Sequence, residues 1–177
     1  MNKKEQRASV RGIVPADRAA RSARIAEALF SSDLYREAQV IYAFCSAGQE
    51  PDTQAIVRRA LRDGKQIFLP VVQGDEMRFF SYETGDPMTR GAFGISEPVL
   101  RRTASANPDL ILVPMVAFDA ACNRLGHGKG YYDRYLGQSG LKTVGIAFSE
   151  FRLDAVAVEP HDVKLDVIIT DREVFRK

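Results

Sequence analysis

Short apolar runs alternate along this chain with amphipathic and polar stretches. Residues 38–44 (AQVIYAF), 65–72, 109–114 (DLILVP), 143–148 and 165–170 are rich in β-branched and aromatic side chains, as expected of strands buried on both faces. Between the first two, Pro51-Asp52-Thr53 opens a helix with Ile56, Val57, Ala60 and Leu61 on one face, and Gly64 is placed to end it. Strand, helix, strand in that order predicts a parallel crossover. Residues 15–30 predict an amphipathic helix with Ala19, Ala23, Ala26, Leu29 and Phe30 as its apolar stripe and Arg18, Arg21 and Arg24 outside it. Residues 3–12 hold helix formers with almost no apolar face, so that segment is either frayed or ordered by a ligand. Residues 77–82 read as a further strand and 131–136 as a helical turn. Gly85, Pro87, Gly91, Gly94 and Pro98 punctuate a long irregular connection, which makes Phe93 within it and Tyr82 beside it candidates for a lid. The sum is an α/β chain: a single domain over residues 1–177, a three-layer α/β/α sandwich with a mostly parallel sheet.

Composition narrows the function classes. At 177 residues and 45% hydrophobic content the chain supports one sizeable core. A formal charge of +2 leaves no electrostatic footprint of a nucleic-acid binder, and no apolar run is long enough to span a bilayer. The expectation is a monomer or small homo-oligomer with no nucleic-acid or membrane partner. Cys45 and Cys122 are too few for a disulfide framework, and the charged N-terminal residues lack a following apolar segment, so a reduced, cytoplasmic setting is expected.

The chemistry is concentrated in residues 123–133, NRLGHGKGYYD. Glycines at 126, 128 and 130 free the backbone so that amide N–H groups can approach a ligand, and Arg124 and Lys129 add full charges beside them. This suits a phosphate-rich ligand, and Asp133 at the exit could hold Mg²⁺ against its phosphates. The loop departs from GxxxxGK[ST] because Gly130 follows Lys129, and it lacks the dinucleotide pattern, so a P-loop kinase and a Rossmann dehydrogenase are both disfavoured. It follows the 109–114 run by about ten residues, near where open α/β sheets collect ligands.

The segment RLGxGKGYYD, with PMVAFD at 114–119 and Tyr135-Leu136, resembles the 5-formyltetrahydrofolate cyclo-ligase (5,10-methenyltetrahydrofolate synthetase) family. Lys3 and Arg7, Glu50 to Thr53, and Asp162 with Asp166 lie in that family's order. The resemblance implies a fold like the sugar-phosphate isomerase and CoA-transferase group. It also implies ATP- and Mg²⁺-dependent closure of the 5-formyl group of tetrahydrofolate onto N10, releasing ADP and phosphate. Carried over by position, Lys3, Arg7, Arg124, Leu125, Gly126, His127, Gly128, Lys129, Gly130, Tyr131 and Tyr132 would bind ATP, with Arg124 and Lys129 as the catalytic cations. Glu50, His127, Gly128, Lys129, Gly130 and Tyr131 would border the folate. Asp133 and Asp166 would hold magnesium, with Asp162 the competing acid. Ala121-Cys122 departs from the family's usual glycine before the Asn-Arg-Leu-Gly part, and Cys122 is a candidate target of thiol reagents.

Overall fold

The computed structural model describes residues 1–102, 107–137 and 140–177. Three helices come first: α1 (Lys3–Val10), α2 (Arg18–Phe30) and α3 (Asp33–Glu37). They lead into β1 (Val40–Tyr42), α4 (Gln54–Arg62), β2 (Gln66–Gln73) and β3 (Glu76–Tyr82). A hairpin follows, β4 (Met88–Arg90) with β5 (Ser96–Pro98), then β6 (Leu110–Val113) and a ribbon of β7 (Ala117–Phe118) with β8 (Arg124–Leu125). The chain finishes with α5 (Tyr131–Leu136), β9 (Thr143–Ile146), β10 (Val167–Ile169) and β11 (Val174–Arg176).

One seven-stranded sheet runs in the order β11-β10-β9-β6-β1-β2-β3. The five strands from β10 to β2 are mutually parallel, and antiparallel β11 and β3 close the two edges. Every residue of β1, β6, β9 and β10 is buried, which is why these strands read as unbroken apolar runs. From β1 the chain crosses through α4 to β2, whereas from β6 it crosses through α5 to β9 in the opposite direction along the sheet. Right-handed crossovers in opposite directions put α4 and α5 on opposite faces. The carboxyl ends of adjacent β1 and β6 therefore form a topological switch point, the crevice where such sheets bind ligands. Tyr135 of α5 packs on its own face against Phe79 and Tyr42, at ring-centroid distances of 5.0 and 6.3 Å.

Three expectations change. The stripe expected on α2 holds only in its second half: Ala26 and Leu29 are buried and Phe30 packs against the core, but Ala19 and Ala23 are exposed, while Arg21, Ser22 and Ile25 take the buried side. Arg21 is tolerated there because Asp171 and Glu150 meet its guanidinium and the Phe148 ring lies 5.0 Å beneath it. Second, the connection after β3 is partly ordered as the β4–β5 hairpin. Third, α1 is a capped helix: Asn2 Oδ1 accepts from the Glu5 N–H at 3.0 Å and the Glu5 carboxylate accepts from the Asn2 N–H at 2.8 Å. Among the described residues no helix is long and apolar enough to cross a membrane.

Candidate active site

A cavity of about 930 Å³ opens at the switch point. Its walls are α1, the loop after β1 (Phe44 to Pro51), the β4–β5 hairpin, Pro114 to Val116 after β6, the glycine-rich loop, and a segment around Asp162.

The glycine-rich loop is set by what precedes it. Asp119 is buried, and its Oδ1 accepts from the N–H groups of Ala121 and Asn123 at 3.0 Å each. Its Oδ2 accepts from Asn123 Nδ2 and the Val156 N–H at 2.9 Å each. Burial alone would raise this carboxyl, but these donors outweigh it and hold it below the usual carboxylate range. The turn so formed carries Cys122 at φ 62, fully buried, which explains why glycine suits that slot and removes Cys122 from reach of thiol reagents. Past β8, Gly128 at φ 95 leaves room for Arg7, whose Cζ would lie 3.3 Å from a Cβ there, and Gly130 at φ 69 turns the chain into α5.

Most of the expected residues meet in the cavity. Arg7 Nε donates to the Gly126 carbonyl at 2.8 Å, tying α1 to the loop. Lys3 Nζ donates to Glu159 and Asp162 at 2.6 and 2.7 Å. Burial alone would lower Lys3, but these acids hold its ammonium above the usual lysine range. The Arg124 side chain is 4% exposed and its Nη2 donates to Asp133 Oδ1 at 2.6 Å. His127 Nε2 lies 3.0 Å from Glu50 Oε1, bridging the loop to the end of β1, while Glu50 Oε2 accepts from the Ala47 N–H at 2.8 Å. Lys129 Nζ sits 5.4 Å over the Phe93 ring, and the Tyr131 hydroxyl donates to the Gly74 carbonyl at 2.8 Å.

Two buried side-chain polar atoms among the described residues have no hydrogen-bond partner, Arg124 Nε and the Tyr132 hydroxyl oxygen, and both belong to cavity-lining side chains. Unpaired buried donors are costly, which marks this wall as prepared for a polar ligand. Burial pushes the Tyr132 phenol well above the ordinary tyrosine value, so it stays protonated. Cys45, also lining the cavity, is pushed up to about 11 by burial, with the charge of Glu97 adding to the effect.

Two expected residues are elsewhere. Leu125 is fully buried in the core, where its carbonyl accepts from the Val116 N–H at 2.7 Å, so it supports the loop from below and lines no part of the cavity. Asp166 stands at the amino end of β10, the far end from the switch point. Its Oδ2 accepts from the Thr143 N–H and hydroxyl at 2.9 and 3.1 Å, and Lys177 approaches Oδ1 at 2.9 Å. It therefore does not face the cavity with Asp133; Asp162 does, and the Val163 N–H approaches Asp133 Oδ1 at 3.5 Å. Burial alone would raise the Asp162 carboxyl, but the Lys3 bond and the Glu159 N–H hold it low and ionised. Tyr82 is likewise outside the lining, whereas Phe93 is in it. Glu97, Glu159 and Arg11 line the cavity without having stood out in the sequence, since each is a single charge in an unpatterned stretch.

A family model described as the 5-formyltetrahydrofolate cyclo-ligase family matches residues 3–171. The probable 5-formyltetrahydrofolate cyclo-ligase of Schizosaccharomyces pombe is 32% identical over 147 residues, covering 72% of each chain. The mouse 5-formyltetrahydrofolate cyclo-ligase is 29% identical over 93% of this chain and 89% of its own. Among solved structures, the 5,10-methenyltetrahydrofolate synthetase of Aquifex aeolicus superposes with a TM-score of 0.85 at 32% identity, covering 99% of this chain and 93% of that one. The Mycoplasma pneumoniae synthetase gives 0.72 at 25% identity, over 97% and 100%. The chain belongs to the 5-formyltetrahydrofolate cyclo-ligase family, a family of ligase enzymes.

Proposed function

We propose that this protein converts 5-formyltetrahydrofolate to 5,10-methenyltetrahydrofolate at the expense of ATP, with Mg²⁺, releasing ADP and phosphate. The observation that carries the reading is one cavity in which a glycine-rich anion cradle, with Arg7, Arg124 and Lys129, stands beside the partly buried Glu50 carboxylate at the switch point. A formamide oxygen is a poor leaving group. Transfer of the γ-phosphoryl to it breaks the β–γ bridging bond and releases ADP. N10 then adds to the activated formyl carbon and loses its proton, and the carbon–oxygen bond breaks with phosphate departing. Such transfer is driven by positioning and by neutralising charge on phosphate oxygens, so no nucleophilic side chain is required.

The residues divide that work. The amide groups of Gly126 to Gly130 with Lys129 would cradle the phosphates, and the free Arg124 Nε would find its partner in a phosphate oxygen. Arg7 would hold the loop closed through the Gly126 carbonyl while adding charge. Glu50, held in place by the Ala47 N–H, would accept from the N–H groups of the substrate's pterin ring. Mg²⁺ suits carboxylate oxygens combined with phosphate and water, and Asp133 with Asp162 are the pair that would hold it; when bound it would neutralise charge on the transferring group. Both acids are now paired with cations, Arg124 and Lys3, which orient their oxygens beforehand.

Absorbance of methenyltetrahydrofolate at mildly acidic pH tests the reading. Product should require 5-formyltetrahydrofolate, ATP and Mg²⁺ together, should vanish with EDTA, and should fall by about 10²-fold or more in kcat for Lys129→Ala, the scale of losing one charged transition-state contact. Turnover that proceeds without nucleotide, or none at all with both substrates present, would defeat it.

A further inference from the structure

The β4–β5 hairpin forms part of the cavity wall through Ala92, Phe93, Ile95 and Glu97, yet only three residue pairs join its strands. Isolated two-stranded ribbons are marginal in water, so something else must fix this one. Glu97 supplies it. The residue is 6% exposed, and its Oε1 accepts from the Val72 N–H of β2 at 3.2 Å, while Oε2 lies 3.8 Å from Arg101 Nη2. Just past the other strand the Gly91 backbone rests directly on the carboxylate: a Cβ at Gly91 would come 2.0 Å from Glu97 Cδ and 2.3 and 2.5 Å from its two oxygens. One side chain is thus wedged between the hairpin and β2. Beyond it the hairpin closes by the Gly91 N–H donating to the Ile95 carbonyl at 2.8 Å and turns through Phe93 at φ 58, whose ring carries Lys129 Nζ at 5.4 Å.

We infer that Glu97 is a positioning residue: it pins the β4–β5 hairpin to β2, so that Phe93 stays seated against Lys129 and the cavity keeps this wall. The inference rests on the proposed reaction for its kinetic consequence, but not for its structural one. What the position needs is a side chain of this length that accepts the Val72 N–H; negative charge at that point is not required.

The chain contains no tryptophan, so Phe93→Trp gives a single fluorescent reporter at the hairpin tip. In that background Glu97→Ala should lower the steady-state anisotropy and raise acrylamide quenching, and Glu97→Gln should leave both at the parent values. Gly91→Ala, which drives a methyl group into the carboxylate without truncating it, should reproduce the loss. In turnover, Glu97→Ala should raise KM for 5-formyltetrahydrofolate about tenfold with kcat changed less than about threefold, the pattern of lost binding-site order. Glu97→Gln should return KM to within about twofold of the parent, and Phe93→Ala combined with Glu97→Ala should be no worse than the poorer single variant, because both act through one hairpin. Additive effects, a Gln variant as impaired as the Ala variant, or an anisotropy that Glu97→Ala does not move would overturn the assignment. A parent protein that binds neither substrate would defeat the proposed reaction alone, since the anisotropy still decides whether Glu97 holds the hairpin.

Discussion

Two acids in one short segment, Asp162 and Asp166, keep opposite company. Asp162 lines the cavity and is paired with Lys3 from α1; Asp166 is committed to Thr143 and Lys177 at the other end of the strands. Asp162→Asn should therefore raise the Mg²⁺ concentration for half-maximal activity by about tenfold, the scale of losing one of two carboxylate ligands. Asp166→Asn should leave that titration within about twofold and lower the melting temperature instead, since it weakens hydrogen bonds that join β10 to β9. Magnesium titrations of the two variants decide it, and equal effects would show that Asp166 reaches the metal after all. The two cysteines separate in the same way. Cys45 faces the cavity with its thiol pushed up to about 11, so a thiol reagent should inactivate slowly at neutral pH and faster at each step toward pH 9, in proportion to thiolate. Cys45→Ser should abolish the inactivation. Cys122→Ser should not, because that side chain is fully buried despite its nearness in sequence to the glycine-rich loop.

At the scale of elements, α2 is anchored to the ends of β9 and β10 by one ionic cluster built on a buried Arg21–Asp171 pair. Arg21 donates to Asp171 from Nε at 2.8 Å and also meets Glu150, while Asp171 accepts from the Ser149 N–H at 3.0 Å. The Asp171 side chain is 2% exposed. Asp171→Asn should cost about 3 kcal/mol, as removal of one partner leaves a buried guanidinium short of charge. The pH dependence has a definite sign. Burial alone would raise the Asp171 carboxyl, but Arg21 and Ser149 hold it below the usual carboxylate range, so the folded chain binds its proton less readily than the unfolded one. That contribution is complete above about pH 5 and is lost as pH falls through the lowered folded value. Unfolding curves of the parent and the variant should accordingly converge as pH falls below about 4, and a gap independent of pH would refute the assignment. The same cluster explains what sequence could not supply. Apolar runs announced the parallel strands because β1, β6, β9 and β10 are covered on both faces, and the glycines with their cations announced the loop. Arg21 looked like a solvated charge because its partners lie at positions 150 and 171, beyond any local periodicity. Asp166 stands away from the cavity for a related reason, because which end of a strand faces the crevice follows from strand order and is not written in the strand itself; Leu125 stands away because its side chain turns into the core beneath the β7–β8 ribbon. The β4–β5 hairpin, polar and three residues a strand, carries too little alternation to be seen.

Across the whole molecule, one sheet supplies a rigid floor and α1 supplies a cover of a different kind. Of its eight residues only Gln6 and Val10 are buried, and polar bonds attach it to three separate parts of the site. Lys3 reaches Asp162 and Glu159, Arg7 reaches the Gly126 carbonyl, and Gln6 donates to the Ala155 carbonyl at 2.7 Å while accepting from the Ala157 N–H at 2.9 Å. A helix of this length has little stability of its own in water, and without a broad apolar face its order depends on those bonds. It should therefore open at much lower free energy than the sheet, exchanging its amide hydrogens well before those of β6. The sequence left two readings of this segment, frayed or ordered by a ligand, and the capped helix leaves the second as a question of degree. Phosphates bound between Arg7 and the glycine-rich loop would add a fourth attachment and bind the closed helix in preference to the open one. Hydrogen exchange should then show protection across residues 3–10 rising by about tenfold when ATP and Mg²⁺ are added near ten times their dissociation constant, with β6 unchanged. Arg7→Ala should blunt that rise more than it slows exchange in the free protein. If α1 is already as protected as β6 without nucleotide, or if its protection does not respond to nucleotide, the helix is a fixed wall and its cations serve the site without closing it.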